Sequence, residues 1–340
     1  MRAAIVGLAG PTLDPDERIW LAHAQPLGVI LFHRNCVAPE QVRNLVADVR
    51  ERLGRPDAPI LIDQEGGRVA RLKPPAWSAR PPLRALGRLA ERDLALGLEA
   101  AHLHARLLAS DLAPLGITVD CAPLLDLAIP GRTAAIGDRA LAADPELVAA
   151  LGRAMLDGFL EGGILPVIKH LPGHGRATAD SHVTLPVVAA PRTTLAASDW
   201  QPFRACASAP FAMTAHVRYP ALDPDQPATL SARIVEDVIR GEIGFAGALM
   251  SDDLCMGALG GEPGARAAGA IAAGCDLALH CSGVLAHARA VLEAVPRLTG
   301  GPLARVEHAL ARRRPPAPFD VAAGEARLAC LLAGAATPHA

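Results

Sequence analysis

The feature that most constrains the fold of this 340-residue chain is a regular recurrence of short apolar runs. Turn residues bound most of the runs, and each run has a length typical of a β-strand. The runs are continuously apolar, as is typical of parallel strands that are covered on both faces. There are eight of them: Ala4–Ala9, Gly28–Phe32, Pro59–Ile62, Ile117–Cys121, Pro166–Ile168, Phe211–Met213, Ala248–Met250 and Leu277–Leu279.

Segments rich in Ala, Leu, Arg and Glu separate most of these runs and have helical periodicity. They are Pro39–Leu53, Leu83–Leu112, Pro145–Glu161, Ala232–Gly241, Ala265–Ala273 and Val284–Val295. Eightfold alternation of strand and helix predicts an α/β fold, the (β/α)8 TIM barrel. We expect the barrel to occupy residues 1–300. Residues 301–340 are then a C-terminal extension, in which an irregular link (Arg312–Pro318) leads to a helix near Val321–Gly334.

Composition excludes several classes of protein. The net charge of −2 gives no basis for binding nucleic acid or an anionic membrane surface, and no segment has the ~18 uninterrupted apolar residues of a membrane span. Gly and Pro interrupt the first apolar run, so we expect no signal peptide. Seven scattered cysteines without CxxC spacing predict reduced thiols in a cytoplasmic protein. Only 3% of residues are aromatic, which favours a small ligand over a polymer.

Ionisable residues cluster after the predicted strands, where a barrel of this kind places its active site. They are costly to desolvate unless they serve a site. The residues are His33, Arg34, Asp63, Glu65, Asp126, Lys169, His170, His216, Asp252, Asp253 and His280.

A purely structural role is an alternative for several of these polar residues. His33 and His280 fit a structural role as well as a functional one, and Asp126 is expected to be structural. Glu65 is expected to cap a helix or to pair with Arg68 rather than to act in catalysis. Three histidines within or before helices are expected to have no function: His23, His102 and His104.

The densest polar cluster is KHLPGHG (169–175), followed by ADSH (179–182). Its glycines and proline let the backbone turn sharply and approach a ligand closely. Asp180 lies two residues from His182 and can hold the imidazole in one tautomer for proton transfer near neutral pH. Asp252 can act as a nucleophile, and strand alternation predicts that Asp252 and Asp253 face different ways.

Six motifs, in order, resemble glycoside hydrolase family 3 from about residue 5 to 300, in particular its single-domain bacterial β-N-acetylglucosaminidases of peptidoglycan recycling. Three positions depart from the family pattern: Leu171 replaces Phe, Cys255 replaces Ser and Gly257 replaces Glu. The motifs are GVILFHRN (28–35), IDQEGGRVARL (62–72), AAIGDRALAADPE (134–146), KHLPGHG with ADSH (169–182), TAHVRYP (214–220) and GEIGFAGALMSDDLCMGAL (241–259).

The resemblance implies a retaining mechanism through a covalent glycosyl-enzyme, with no cofactor and no metal. It assigns Asp252 as the nucleophile, His182 as the general acid/base and Asp180 as the partner of His182. A His–Asp pair in this role departs from the usual two carboxylates. Five further residues are implied to bind the terminal sugar: Asp63, Arg71, Arg139, Lys169 and His170.

The implied function is release of terminal β-linked N-acetylglucosamine from cell-wall fragments, the GlcNAc–anhydroMurNAc peptides. Alternatives within the family are a β-glucosidase, a β-xylosidase and a glycosyl phosphorylase. A non-catalytic sugar-binding barrel is a further alternative. So is a metal-dependent amidohydrolase, whose ligands would be His170, His174, His182, His216 and Asp252. Stem-peptide preference, discrimination between N-acetylglucosamine and N-acetylgalactosamine, protein partners and oligomeric state stay open.

Overall fold

A computed structural model of the chain describes residues 1–336. Within that range it contains ten β-strands: β1 Arg2–Gly7, β2 Pro26–Leu31, β3 Ile60–Ile62, β4 Val119–Asp120, β5 Leu165–Leu171, β6 Phe211–Thr214, β7 Arg218–Tyr219, β8 Asp223–Pro227, β9 Ala248–Met250 and β10 Ala278–His280. The α-helices of the same range are α1 Pro15–Ala24, α2 Pro39–Leu53, α3 Leu83–Ala90, α4 Leu94–Leu112, α5 Pro145–Glu161, α6 Arg192–Ala197, α7 Gln201–Ala205, α8 Pro263–Ala272, α9 Leu285–Ala294, α10 Gly300–Ala311 and α11 Val321–Ala336.

Eight of the strands form one parallel sheet in the order β10-β1-β2-β3-β4-β5-β6-β9. A parallel bridge between Met250 and Leu277 joins β9 to β10 and completes the barrel. Every residue of β2 and of β5 is buried, because helices cover the outer face and side chains fill the interior. The predicted (β/α)8 barrel is confirmed, and each predicted strand overlaps an observed one.

Two of the predicted helices, α2 and α5, have the predicted bounds. Both begin with proline in the first turn, where its missing N–H costs nothing, and α2 ends at Gly54 in the left-handed conformation. The single helix predicted over Leu83–Leu112 is wrong. The chain breaks before α4 because the Asp93 side chain accepts a hydrogen bond from the backbone N–H of Leu96 and caps a new helix.

The segment between β6 and β9 contains more than the single helix that usually connects two parallel strands. The antiparallel pair β7–β8 comes first, and a π-helix (Ile234–Glu242) then occupies most of the segment predicted as an α-helix. Four α-helices, α1, α6, α7 and α10, were not predicted from the sequence. Of these, α6 and α7 are the shortest, with only six and five residues, too few for a periodicity to be visible.

Two further helices, α10 and α11, follow β10 and α9 and pack against the side of the barrel. In α10, Arg305 binds the buried carboxylate of Asp276, 2.6 Å away. The link 312–318 has no regular structure, and α11 follows it, where Glu325 contacts the buried Arg80 at 2.7 Å. The domain boundary at residue 300 stays a prediction. Within residues 1–336, none of the helices combines the length and the apolarity needed to span a bilayer.

Candidate active site

One pocket of about 270 Å³ opens at the carboxyl ends of the barrel strands. Parallel strands deliver their following loops to the same end of a barrel, so residues distant in sequence meet there. Phe32 also lines the pocket and supplies an apolar ring. All eight residues predicted for the site line this pocket: Asp63, Arg71, Arg139, Lys169, His170, Asp180, His182 and Asp252.

A buried ion network forms one wall of the pocket. The ammonium of Lys169 lies 3.0 Å from Asp63 Oδ1 and 2.7 Å from Glu65 Oε1. Arg71 binds the second oxygen of Asp63 at 3.0 Å, and Arg139 binds both oxygens of Glu65 at 2.8 and 2.9 Å. Each carboxylate therefore lies between two cations, and two of the three ammonium N–H groups of Lys169 are used. The third is left for a ligand.

Charge pairing decides the protonation of this network. Burial alone would raise the pKa of Glu65, but Arg139 and Lys169 outweigh it and lower the pKa to about 2. Asp63 is affected in the same way: burial opposes ionisation, while Lys169 and Arg71 hold its pKa below the usual value. Both carboxylates are ionised at neutral pH and can accept hydrogen bonds from sugar hydroxyls.

The expected role of Glu65 is wrong. It neither caps a helix nor pairs with Arg68, whose guanidinium instead donates to Asp138 at 2.9 Å near the surface. Glu65 is only 1% exposed, and a carboxylate at that depth needs the buried cations beside it. Its backbone carbonyl accepts a hydrogen bond from His104 (3.0 Å), which gives that histidine a structural role, as expected.

His170 is oriented by Asp126. The ring Nδ1 lies 2.7 Å from Asp126 Oδ2, and Asp126 Oδ1 accepts the backbone N–H of His174 at 2.5 Å. Burial opposes ionisation of Asp126, but His170 and His174 lower its pKa. The Nδ1–H of His170 is committed to Asp126, so Nε2 is the ring atom left for a ligand. Asp126 thus has the structural role that the sequence suggested, directly behind a predicted sugar-binding residue.

Asp180 and His182 form a hydrogen-bonded pair at the mouth of the pocket. Asp180 Oδ1 lies 2.8 Å from His182 Nδ1 and also accepts the backbone N–H of His182 at 2.9 Å. These bonds outweigh the small effect of burial and lower the pKa of Asp180. The imidazole is 68% exposed. Its Nδ1–H is held by the carboxylate, which leaves Nε2 to exchange a proton with a ligand.

Asp252 and Asp253 lie after the end of β9, so strand alternation does not separate them, and both line the pocket. Their hydrogen bonds differ. Asp252 is nearly buried, and its Oδ1 accepts the backbone N–H of Asp253 at 2.8 Å. Burial would raise the pKa of Asp252, but His170, His216 and the Asp253 N–H together lower it, so the carboxylate is ionised. Asp253 Oδ1 instead accepts the backbone N–H groups of residues 255 and 281.

Two polar residues of the pocket wall, His174 and Ser181, were not among the predicted site residues, and His174 was named only as a metal ligand of the amidohydrolase alternative. His174 is 2% exposed and its Nε2 lies 3.2 Å from Ser181 Oγ, so it packs beneath the loop that carries the Asp180–His182 pair. Burial lowers the pKa of His174 to about 4, and the ring is neutral. His174 lies in the KHLPGHG motif and Ser181 in the ADSH motif, and these positions were the signal from which the two residues could have been predicted.

The metal-ligand set of the amidohydrolase alternative is not assembled. Both ring nitrogens of His216, for example, already have hydrogen-bond partners. Nδ1 lies 2.7 Å from Thr229 Oγ1, and Nε2 lies 3.0 Å from the backbone carbonyl oxygen of Asp253. Across residues 1–336, the one group of three or more potential ligands within reach of a common ion is Asp253, Cys255 and His280. That group contains none of the residues the alternative requires.

Gly257 sets the position of the loop that carries Asp180 and His182. Its backbone N–H donates to His182 O, and that of Ala258 donates to Ser181 O, both at 3.1 Å. A Cβ at position 257 would lie 2.8 Å from His182 O and 2.9 Å from Val183 O. The close approach therefore requires glycine in this chain, where the family pattern has Glu.

Comparison with known proteins agrees with this geometry. The model of the glycosyl hydrolase family 3 N-terminal domain matches residues 5–313. A beta-hexosaminidase of Stenotrophomonas maltophilia (strain K279a) is 40% identical over 301 residues, 87% of each chain. The crystal structure of NagZ from Neisseria gonorrhoeae in complex with N-trifluoroacetyl-D-glucosamine has a TM-score of 0.87 and 32% identity, over 99% of this chain and 98% of that one.

A third similar protein is a family 3 β-N-acetylglucosaminidase from Paenibacillus sp. str. FPU-7. It has a TM-score of 0.79 and 34% identity, and the match covers 99% of this chain and 63% of that one. The chain therefore belongs to glycosyl hydrolase family 3, as its motifs indicated. Within that family it is a glycosidase of the β-N-acetylhexosaminidase type.

Replacing Gly257 with Ala should displace the Asp180–His182 loop, because the added methyl overlaps two carbonyl oxygens of that loop. His182 is the predicted proton-transfer group, and a shift of about 1 Å in such a group can cost about 100-fold in rate, so we expect kcat to fall by about 10–100-fold. Steady-state kinetics with an aryl β-N-acetylglucosaminide measures this. Gly260→Ala is the matched control, because a Cβ there meets no atom within 4 Å. Equal rates for both variants would contradict the prediction.

Proposed function

We propose that this chain is a retaining glycosidase that releases terminal, non-reducing β-linked N-acetylglucosamine from cell-wall fragments of the GlcNAc–anhydroMurNAc–peptide kind. The observation that carries the proposal is that an ionised Asp252 and the Asp180–His182 pair open into one pocket. A nucleophilic carboxylate and a separate proton carrier are the two groups that a retaining mechanism needs.

In the proposed reaction, protonated His182 donates its Nε2 proton to the glycosidic oxygen while Asp252 attacks the anomeric carbon. The bond to the leaving group breaks, and a covalent glycosyl-enzyme forms on Asp252. His182, now neutral, takes a proton from water, which attacks the same carbon and releases Asp252 as a carboxylate. Two displacements retain the β configuration. Asp180 holds Nδ1–H throughout and stabilises the imidazolium.

The ion network and its neighbours are proposed to bind the terminal sugar. Asp63 can accept hydrogen bonds from sugar hydroxyls, while Lys169, His170 and Arg71 can donate. Arg139 already donates to both oxygens of Glu65 and to the Ala135 carbonyl (3.0 Å). We therefore propose that it acts on the sugar chiefly by fixing Glu65, and through the N–H groups that remain.

Two further observations support an amino-sugar substrate of limited size. The pocket of about 270 Å³ suits one sugar ring better than a run of them, with Phe32 as its apolar contact. Similar proteins are a β-N-acetylglucosaminidase and an enzyme solved with an N-acylated glucosamine. All seven cysteines are free thiols, which supports the proposed cytoplasmic location.

Substrate preference is tested by comparing an aryl β-N-acetylglucosaminide with the matching aryl β-glucoside, each with and without phosphate. We expect kcat/KM to favour the N-acetylated substrate, with no requirement for phosphate. Faster cleavage of the glucoside would replace the proposal with a β-glucosidase. A strict phosphate requirement would identify a phosphorylase.

Asp252→Asn removes the proposed nucleophile and keeps the side-chain shape, so turnover should fall by at least about 10⁴-fold while the thermal midpoint changes little. Asp253→Asn is the matched control and should retain far more activity, because its carboxylate binds backbone N–H groups. An inactive Asp253→Asn variant beside an active Asp252→Asn variant would reverse the assignment.

His182→Ala should slow cleavage by about 10²–10⁴-fold for substrates with poor leaving groups, which need protonation. Activated aryl glycosides, whose leaving groups depart as anions, should lose much less. The measurement is kcat/KM across a series of aryl leaving groups, with His23→Ala on an exposed helix as control. Equal losses across the series would argue against His182 as the acid.

A further inference from the structure

Asp253, Cys255 and His280 form a compact cluster next to the proposed nucleophile. Asp253 and Cys255 belong to the loop after β9, and His280 is the last residue of β10. One potential ligand atom from each lies within 4.8 Å of the others. His280 is buried and the other two are half-buried, so the cluster is shielded from bulk solvent but not sealed. None of the steps proposed above uses Cys255 or His280.

The hydrogen bonds of His280 hold its ring in the orientation that a metal-binding histidine has. Ring Nε2 lies 2.9 Å from Ser282 Oγ, and Nδ1 lies 3.2 Å from Cys255 Sγ. With Nε2–H donating to the serine, the lone pair of Nδ1 faces the sulfur. Metal-binding histidines have the same arrangement, in which the second ring nitrogen donates to a neighbouring acceptor.

Asp253 is held in place from behind. Its Oδ1 accepts the backbone N–H of Cys255 at 2.9 Å and that of Cys281 at 3.1 Å. Oδ2 takes no part in either bond and is the oxygen available to a cation. Because both N–H donors belong to the segments that carry the other two ligands, the carboxylate is fixed relative to the sulfur and the imidazole.

We propose that Asp253, Cys255 and His280 bind one thiophilic divalent cation, of which Zn²⁺ is the type. One thiolate, one imidazole and one carboxylate are a ligand set typical of zinc and unsuited to Mg²⁺ or Ca²⁺. Three protein ligands leave a fourth tetrahedral position for water. The bound ion would tie the loop after the nucleophile to β10.

The chemistry of binding balances in charge and protons. In the empty site the Cys255 thiol lies within hydrogen-bond reach of His280 Nδ1, 3.2 Å away, and of the Asp253 carboxylate. The cation takes the place of the thiol proton, which is released to solvent, and Zn–S, Zn–N and Zn–O bonds form. Thiolate and carboxylate together offset the two positive charges.

The spacing requires only small movements. Zn–S and Zn–N bond lengths place sulfur and nitrogen about 3.5 Å apart in a tetrahedral site, against 3.2 Å in the structure. The carboxylate oxygen, within 4.8 Å of the other ligands, has to approach by at most about 1.5 Å. A pivot of the carboxylate about Oδ1, which keeps both of its backbone hydrogen bonds, provides that shift.

Cobalt(II) tests the site, because it occupies zinc sites and gives a sulfur-to-metal charge-transfer absorption only when a thiolate is bound. Full-length protein is dialysed against chelator and titrated with Co²⁺. We expect this absorption to saturate at one ion per chain and to be displaced by Zn²⁺. Neither Asp180 nor His182 can produce it, so binding at that pair is distinguished. Absence of the absorption in the wild type would overturn the proposal.

Variants assign the ligands. Cys255→Ser should abolish the absorption, and His280→Gln should weaken Co²⁺ affinity by at least about 100-fold; loss of the supporting hydroxyl in Ser282→Ala should cost about 10–100-fold. Cys330→Ser, on an exposed face of α11, and His182→Ala should leave binding unchanged. Absorption that survives Cys255→Ser, or that disappears only in Cys281→Ser, overturns the assignment. The His280 and Ser282 variants keep the test decisive should Cys255→Ser not fold.

Discussion

The ammonium of Lys169 is the interaction on which the site depends. Its side chain is 3% exposed, and desolvating such a charge costs several kcal/mol unless partners offset it. Asp63 and Glu65 do so, at 3.0 and 2.7 Å, and they need Arg71 and Arg139 in turn. Two strand ends and the loop that carries Arg139 are thereby locked to one another. This wall of the pocket is rigid because removing any one charge leaves another buried without a partner.

Most of the barrel was predictable because the information is local. Each barrel strand is an apolar run between turn residues. Helix α2 begins at a proline and ends before a glycine, and both residues are recognisable helix-boundary signals in the sequence. The break between α3 and α4 was readable in principle from Asp93, an N-cap residue, but apolar periodicity continues across it. The π-helix and the β7–β8 pair depend on how the chain packs between β6 and β9, and short-range patterns do not encode that.

The sequence was sufficient to predict which residues line the pocket, but not which of them contact one another. Strand ends of a parallel barrel meet at one mouth, which is why eight predicted residues line one pocket. Which of them touch is a tertiary property. Glu65 finds Arg139, 74 positions away, rather than nearby Arg68, and Asp126 finds His170 across 44 positions. Their roles in binding and catalysis rest on the experiments proposed for them. The Cys255–His280 contact likewise joins two strand ends, and no spacing motif marks it.

The loop docked on Gly257 has a consequence for how substrate reaches the pocket. Its backbone attachment to that side is two hydrogen bonds, each with a net worth of about 0.5–1.5 kcal/mol. Releasing both costs about 1–3 kcal/mol, and the hydrogen bond between His174 and Ser181 adds to that cost, so the undocked loop is a minority population at equilibrium. The proton carrier would leave and return with the loop, so that entry of substrate and delivery of the acid are gated by the same bonds.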